Sequence, residues 1–138
     1  MEINQVSGAV VDASMKVHTA LGPGLLESAY ERCLIHELRK RGLRVAVQVP
    51  IPVAYDGEVL DTGYRADLVV EDAVLVELKS IENILPVHKA QLLSYLRLSD
   101  KRIGLLINFN VAHLRDGITR IINNRLKPSA YSASSALK

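Results

Sequence analysis

Arg65-Ala66-Asp67-Leu68-Val69-Val70-Glu71-Asp72-Ala73-Val74-Leu75-Val76-Glu77-Leu78-Lys79 is the stretch that decides the fold. Two runs of strand length flank a Glu71-Asp72-Ala73 turn, and folding about Asp72 sets position 70 opposite 74, 68 opposite 76 and 67 opposite 77. Successive side chains of a strand point to opposite faces. One face then collects Ala66, Leu68, Val70, Val74, Val76 and Leu78, all apolar, and reads as core. The other collects Arg65, Asp67, Val69, Leu75, Glu77 and Lys79. It is apolar near the turn, where helices are expected to cover it, and charged at its far end.

Asp67 and Glu77 thus come out as neighbours across two strands, and like charges placed opposite each other repel. Two readings follow. In one, a hard divalent cation lies between the carboxylates, since Mg²⁺ takes one or two carboxylates together with waters and substrate phosphates. Lys79, about 7 Å beyond Glu77 on the same face, then holds or polarises a water or stabilises charge building on a phosphate. In the other, Lys79 neutralises the carboxylates in an ion-pair network without chemistry.

Upstream, Ile3, Val6, Val10, Ala13 and Val17 recur at helical spacing, and Leu21-Gly22-Pro23-Gly24 ends the stripe. Leu26, Tyr30, Cys33, Leu34 and Leu38 mark a second helix, stopped by Gly42. From Val45 the period changes to two, and Pro50 and Pro52 make Ile51–Tyr55 an edge or bulged strand. Asp56-Gly57 signals a hairpin turn. Downstream, Pro86 opens a helix, Ile103–Phe109 is an apolar strand, and Ile118–Ile122 suggests another. The Ser/Ala-rich segment 127–138 has no core face and reads as a frayed tail after a 1–126 domain. The order predicts a single α/β domain with a central mixed β-sheet flanked by helices.

Composition narrows the chemistry. Cys33 stands alone, so there is neither an intrachain disulfide nor a thiolate zinc cage. The 17 basic residues nearly balance 15 acidic ones, so charge names no partner. Five Tyr, one Phe and no Trp argue against a base-stacking platform. The basic residues Arg97, Lys101, Arg102, Arg115, Arg120, Arg125 and Lys127 read as scattered solvated charges rather than a phosphate-tracking surface. No apolar run approaches the roughly 20 residues that span a bilayer, and the start lacks a signal-peptide pattern. The expectation is a cytoplasmic protein with no membrane partner.

Gly24-Leu25-Leu26-Glu27-Ser28-Ala29-Tyr30 reproduces the pattern that names the GxxExxY protein family. Val17-His18, Gln48–Val53, Asp67–Val70, Glu77-Leu78-Lys79, Gln91–Leu96 and Leu106–Phe109 accompany it in order, so the chain resembles that family from about residue 3 to about residue 124. The family is placed in the PD-(D/E)XK nuclease-like superfamily. The resemblance implies a restriction-endonuclease-like core with metal-binding acids on the central hairpin. Position by position, Asp67 matches the motif's Asp and Glu77-Leu78-Lys79 its (D/E)XK, while Ala66 stands where the motif has Pro. Glu27 matches the acid that an upstream helix brings to the metal, and Gln91 the polar residue on the helix after the hairpin.

The implied activity is phosphodiester hydrolysis in DNA or RNA with Mg²⁺ or Mn²⁺. The implied ligands are Glu27, Asp67 and Glu77, and the implied catalytic set is Asp67, Glu77, Lys79 and Gln91. His88, Gln91 and Tyr95 share a helix face, so His88 and Tyr95 join Tyr30 as candidates for contact with the substrate or with the catalytic residues. For Tyr30, core packing is the plainer expectation. His18 reads as a packed or capping histidine, and Cys33 as a small hydrophobe. The rival readings are a non-catalytic nucleic-acid- or protein-binding module on the same fold, and an enzyme acting on a nucleotide. A homodimer is compatible with a chain too small to embrace a duplex.

Overall fold

In a computed structural model, residues 1–126 are described; the expected tail, 127–138, lies outside them. Two helices come first, α1 (Ile3–Leu21) and α2 (Glu27–Lys40). Five strands follow: β1 (Val45–Pro50), β2 (Val53–Tyr55), β3 (Glu58–Leu60), β4 (Arg65–Val70) and β5 (Val74–Lys79). Then come α3 (Pro86–Ser99), β6 (Ile103–Asn108), a 3₁₀ turn at Leu114–Gly117 and β7 (Ile118–Ile122).

The central sheet has the order β1-β4-β5-β6-β7. It is mixed, as expected: β5 and β6 pair in parallel and the other neighbours are antiparallel. A parallel pair needs a long crossover, and α3 supplies it. β2 and β3 form a separate two-stranded sheet about Asp56-Gly57, both at positive φ (53° and 77°), as a tight hairpin turn requires. The Ile51–Tyr55 run therefore yields a short strand paired only within its own hairpin, while Ile51 itself is buried.

The period-two reading of the hairpin holds for most of its length. Leu68, Val70, Val74, Val76 and Leu78 pack in one apolar cluster with Val6, Val10, Ala13 and Val17 of α1 and with Leu34 and Leu38 of α2. On the other face Val69 and Leu75 join Leu92, Tyr95 and Leu96 of α3, so a helix does cover the apolar end. Ala66 departs from expectation and belongs to this second cluster with Ile51. The pleat is regular only where the ladder is: β4 and β5 pair from Val70–Val74 to Leu68–Val76, and no register pair continues beyond.

β6 is buried along its whole length, which explains its unbroken apolar run. Helix α3 lies so close over it that a Cβ at Gly104 would meet Leu92 Cδ1 at 3.0 Å. Helices α1 and α2 are tied at their flanks by Lys16–Glu37 (2.8 Å) and Arg41–Asp12 (2.6 Å). Among the described residues no helix is long and apolar enough to cross a membrane.

Candidate active site

β5 and β6 run parallel with Val74 beside Ile103 at one end and Lys79 beside Asn108 at the other. Asp67, Glu77 and Lys79 gather at the second end. There the two acids solve their repulsion in a specific way. The Asp67 N–H donates to Glu77 Oε1 at 3.0 Å, and the Leu78 N–H donates to Asp67 Oδ2 at 2.8 Å. Each carboxylate thus replaces a rung that the diverging strands no longer make. The Glu77 carboxyl also meets the Asp67 carboxyl side chain to side chain, a contact that favours its protonated form.

Glu77 is 7% exposed. Burial first, and the neighbouring Asp67 charge second, push its carboxyl up from 4.5 to about 8. The Asp67 N–H and the charge of Lys79 pull the other way. No ion pair within 4 Å joins Lys79 to either acid among the described residues. Its backbone is fixed, the Lys79 carbonyl accepting the Phe109 N–H at 2.9 Å. The ion-pair network that the spacing allowed is therefore not what the side chains form.

The remaining candidates divide. Tyr95 is buried, and its hydroxyl is pushed up by burial first and then by Glu77, Tyr64 and Asp67, which sets it beside the acids. Gln91 is exposed one turn earlier on α3 and makes no hydrogen bond among the described residues. Glu27 is exposed at the first position of α2. Its charge acts on Glu31, one turn along the same helix.

Two residues are committed elsewhere. His88 Nδ1 accepts the Leu85 N–H at 2.9 Å, so one ring nitrogen caps the start of α3 instead of facing a substrate. Tyr30 is fully buried and stacks on Phe109 at 4.4 Å. Its hydroxyl donates to the Gly22 carbonyl at 2.5 Å and accepts the Leu25 N–H at 3.1 Å. It pins the 22–25 loop, and its single hydrogen is spent on Gly22, leaving none to donate to Glu27 or a phosphate. His18 is packed as expected, with Nε2 at 2.8 Å from the Val111 carbonyl.

Three residues at this end carry no signal readable from spacing. Gln48 Nε2 donates to both oxygens of Glu31 at 3.3 Å and to Asp67 Oδ1 at 3.2 Å. Glu31 is half-buried, and its carboxyl is raised by burial first, then by the charges of Asp67 and Glu27, against the Gln48 bond. Asn108, 2% exposed, ties down the segment after Lys79 by donating to the Ile81 carbonyl at 2.9 Å and accepting the Ile81 N–H at 3.1 Å.

Several of the basic residues of the second half lie away from the acids or are paired elsewhere, while Lys127 lies outside the described residues. Lys101 and Arg102 precede Ile103 and Arg125 follows Ile122, at the opposite end of the sheet. Lys101 is held by Asp72 at 2.9 Å, and Arg120 by Asn4 at 2.6 Å. Among the described residues no group of three or more His, Cys, Asp or Glu side chains is arranged to hold a metal ion. The carboxylates at this end are those of Asp67 and Glu77, with Glu31 joined to Asp67 through Gln48.

Comparison with known proteins bears on what such a pair is for. The sequence model of the PD-(D/E)XK nuclease superfamily matches residues 4–121, which includes every element of the fold except the last residue of β7 and the first of α1. No curated protein and no solved structure matches the chain.

Proposed function

Because the chain belongs to the PD-(D/E)XK nuclease superfamily, we propose that it is a divalent-metal-dependent nuclease that hydrolyses phosphodiester bonds in DNA or RNA. The observation that carries this reading is the splayed end of the hairpin. Asp67 and Glu77 come from adjacent strands, each is anchored by a backbone N–H of the other strand, and Lys79, whose charge acts on Glu77, makes no ion pair among the described residues. The motif around Gly24, Glu27 and Tyr30 resembles that of the GxxExxY proteins and supports that branch as the narrower reading.

Two carboxylates fit a hard cation such as Mg²⁺ or Mn²⁺, which keeps several waters beside one or two protein carboxylates. Asp67 and Glu77 are the residues that would hold it. When bound, the ion lowers the pKa of water and neutralises phosphate charge. Glu27, exposed at the start of α2, would be the third acid to serve the ion. The Lys79 ammonium offers three donors to the oxygens of the scissile phosphate, where negative charge builds. Gln91 orients the attacking water or a phosphate oxygen from α3. Buried Tyr95 walls the acids on that side and, staying protonated, adds no negative charge.

The test is a panel of single- and double-stranded DNA and RNA incubated with Mg²⁺ or Mn²⁺. Cutting that requires the ion supports the reading and identifies the polymer. Binding without turnover supports the non-catalytic module instead, and suppression of cutting by small nucleotides supports a nucleotide substrate.

A further inference from the structure

β1 is interrupted at one residue. Val45, Ala46, Val47, Val49 and Pro50 each face a partner in β4, whereas Gln48 has none. Pairing resumes with no residue gained or lost, Val47 facing Leu68 and Val49 facing Ala66. An inserted residue therefore does not explain the break, as it would in a bulge. Gln48 also sits at φ +50°, a left-handed backbone that glutamine rarely adopts. The residue it would have faced is Asp67.

What the distortion achieves is visible in the side chain. It brings the amide of Gln48 between two acids on different elements, Glu31 of α2 and Asp67 of β4. Ionised carboxylates only accept hydrogen bonds, so a group that joins two of them has to donate twice, and a primary amide carries two N–H. Asp67 is then held at both oxygens, Oδ1 by Gln48 at 3.2 Å and Oδ2 by the Leu78 N–H at 2.8 Å. Its carboxylate is fixed in rotation, and each oxygen keeps a further lone pair.

We propose that Gln48 is a positioning residue of the metal site: its amide, supported by Glu31, fixes the orientation in which Asp67 presents its carboxylate to a divalent cation. The proposal rests on the metal-dependent reading above and extends it to two residues that touch neither the ion nor the substrate. Backbone strain at Gln48 is what the fold maintains to keep that orientation. Loss of an outer hydrogen bond to a metal-binding carboxylate typically weakens metal affinity by about 10- to 100-fold.

Gln48→Gly separates positioning from stability, because glycine accepts φ +50° without strain. Mn²⁺ is titrated calorimetrically into the metal-free full chain for the wild type, Gln48→Gly and Asp67→Ala, with urea unfolding of each alongside. The expected result is a Gln48→Gly protein at least as stable as the wild type, with an Mn²⁺ dissociation constant raised about 10-fold or more. Its cutting rate recovers at high Mn²⁺. Wild-type affinity in Gln48→Gly, while Asp67→Ala has lost binding, overturns the proposal and leaves the metal site standing. No Mn²⁺ binding by the wild type overturns the metal reading and this proposal with it. If Gln48→Gly fails to fold, Gln48→Met is titrated in its place: it keeps the side-chain length without donors, so weakened binding supports the proposal and wild-type binding refutes it.

Discussion

Glu77→Gln in the metal-free protein gives a stability difference whose pH dependence is fixed in sign. Burial and Asp67 raise the folded-state pKa of Glu77 to about 8, from 4.5 when unfolded. Between those values the folded chain holds a proton that the unfolded chain has released, so stability falls as pH rises. The contribution is whole below pH 4.5 and lost on passing through about 8. At 1.36 kcal/mol per pH unit, that interval sets a ceiling of about 5 kcal/mol. Glutamine is the neutral isostere of the protonated acid, and its carbonyl oxygen still accepts the Asp67 N–H, so the variant lacks this slope. Urea unfolding in EDTA at half-unit steps from pH 5 to 8.5 measures it. The variant's advantage over the wild type should grow with pH and reach a few kcal/mol by pH 8. Saturating Mn²⁺ should erase most of that advantage, because an ion that binds the carboxylate opposes protonation. An advantage independent of pH across this range would refute the burial argument for Glu77.

Asp67→Asn keeps an oxygen for the Leu78 N–H but removes the charge; it should fold, lose cutting by at least about 100-fold, and bind Mn²⁺ weakly in calorimetry. Lys79→Ala breaks no ion pair, so its unfolding midpoint should stay within about 0.5 kcal/mol of the wild type. Its cutting should nevertheless fall by about 100-fold at saturating metal. Tyr30→Phe strands the Gly22 carbonyl and the Leu25 N–H; it should cost about 1–3 kcal/mol in urea unfolding, with the ring stack on Phe109 retained.

The parts of this fold legible in the sequence were those encoded by periodicity and by turn chemistry. Alternation in 65–79 separated the faces because one face is uniformly apolar, and Asp56-Gly57 announced its hairpin because only certain residues tolerate positive φ at both positions. Alternation failed at Ala66 for the reason that makes the site: the strands part at Asp67 and Glu77, and side chains take over from the ladder. Gln48 was illegible because glutamine carries no preference for left-handed backbone; its conformation is imposed by the two acids it joins. Glu31 carries no distinguishing pattern in the sequence, and only the packing of α2 against the sheet brings it within reach of Gln48. Tyr30 and His88 fell at suggestive spacings, but spacing does not reveal that nearby backbone groups already occupy the Tyr30 hydroxyl and the His88 Nδ1. The basic residues, read from the sequence as scattered charges, include Lys101 and Arg102, which the parallel crossover through α3 returns to the end of the sheet away from the acids.

The central claim is that Asp67 and Glu77 serve a cation that acts on a phosphodiester. The most direct measurement is the rate at which the wild type and Glu77→Ala, each shown to be folded by circular dichroism, cut the most susceptible strand of the panel at saturating Mn²⁺. The account predicts ion-dependent cutting by the wild type and none above background by the variant. Cutting at the wild-type rate by folded Glu77→Ala, or cutting by the wild type that persists in EDTA, would contradict it.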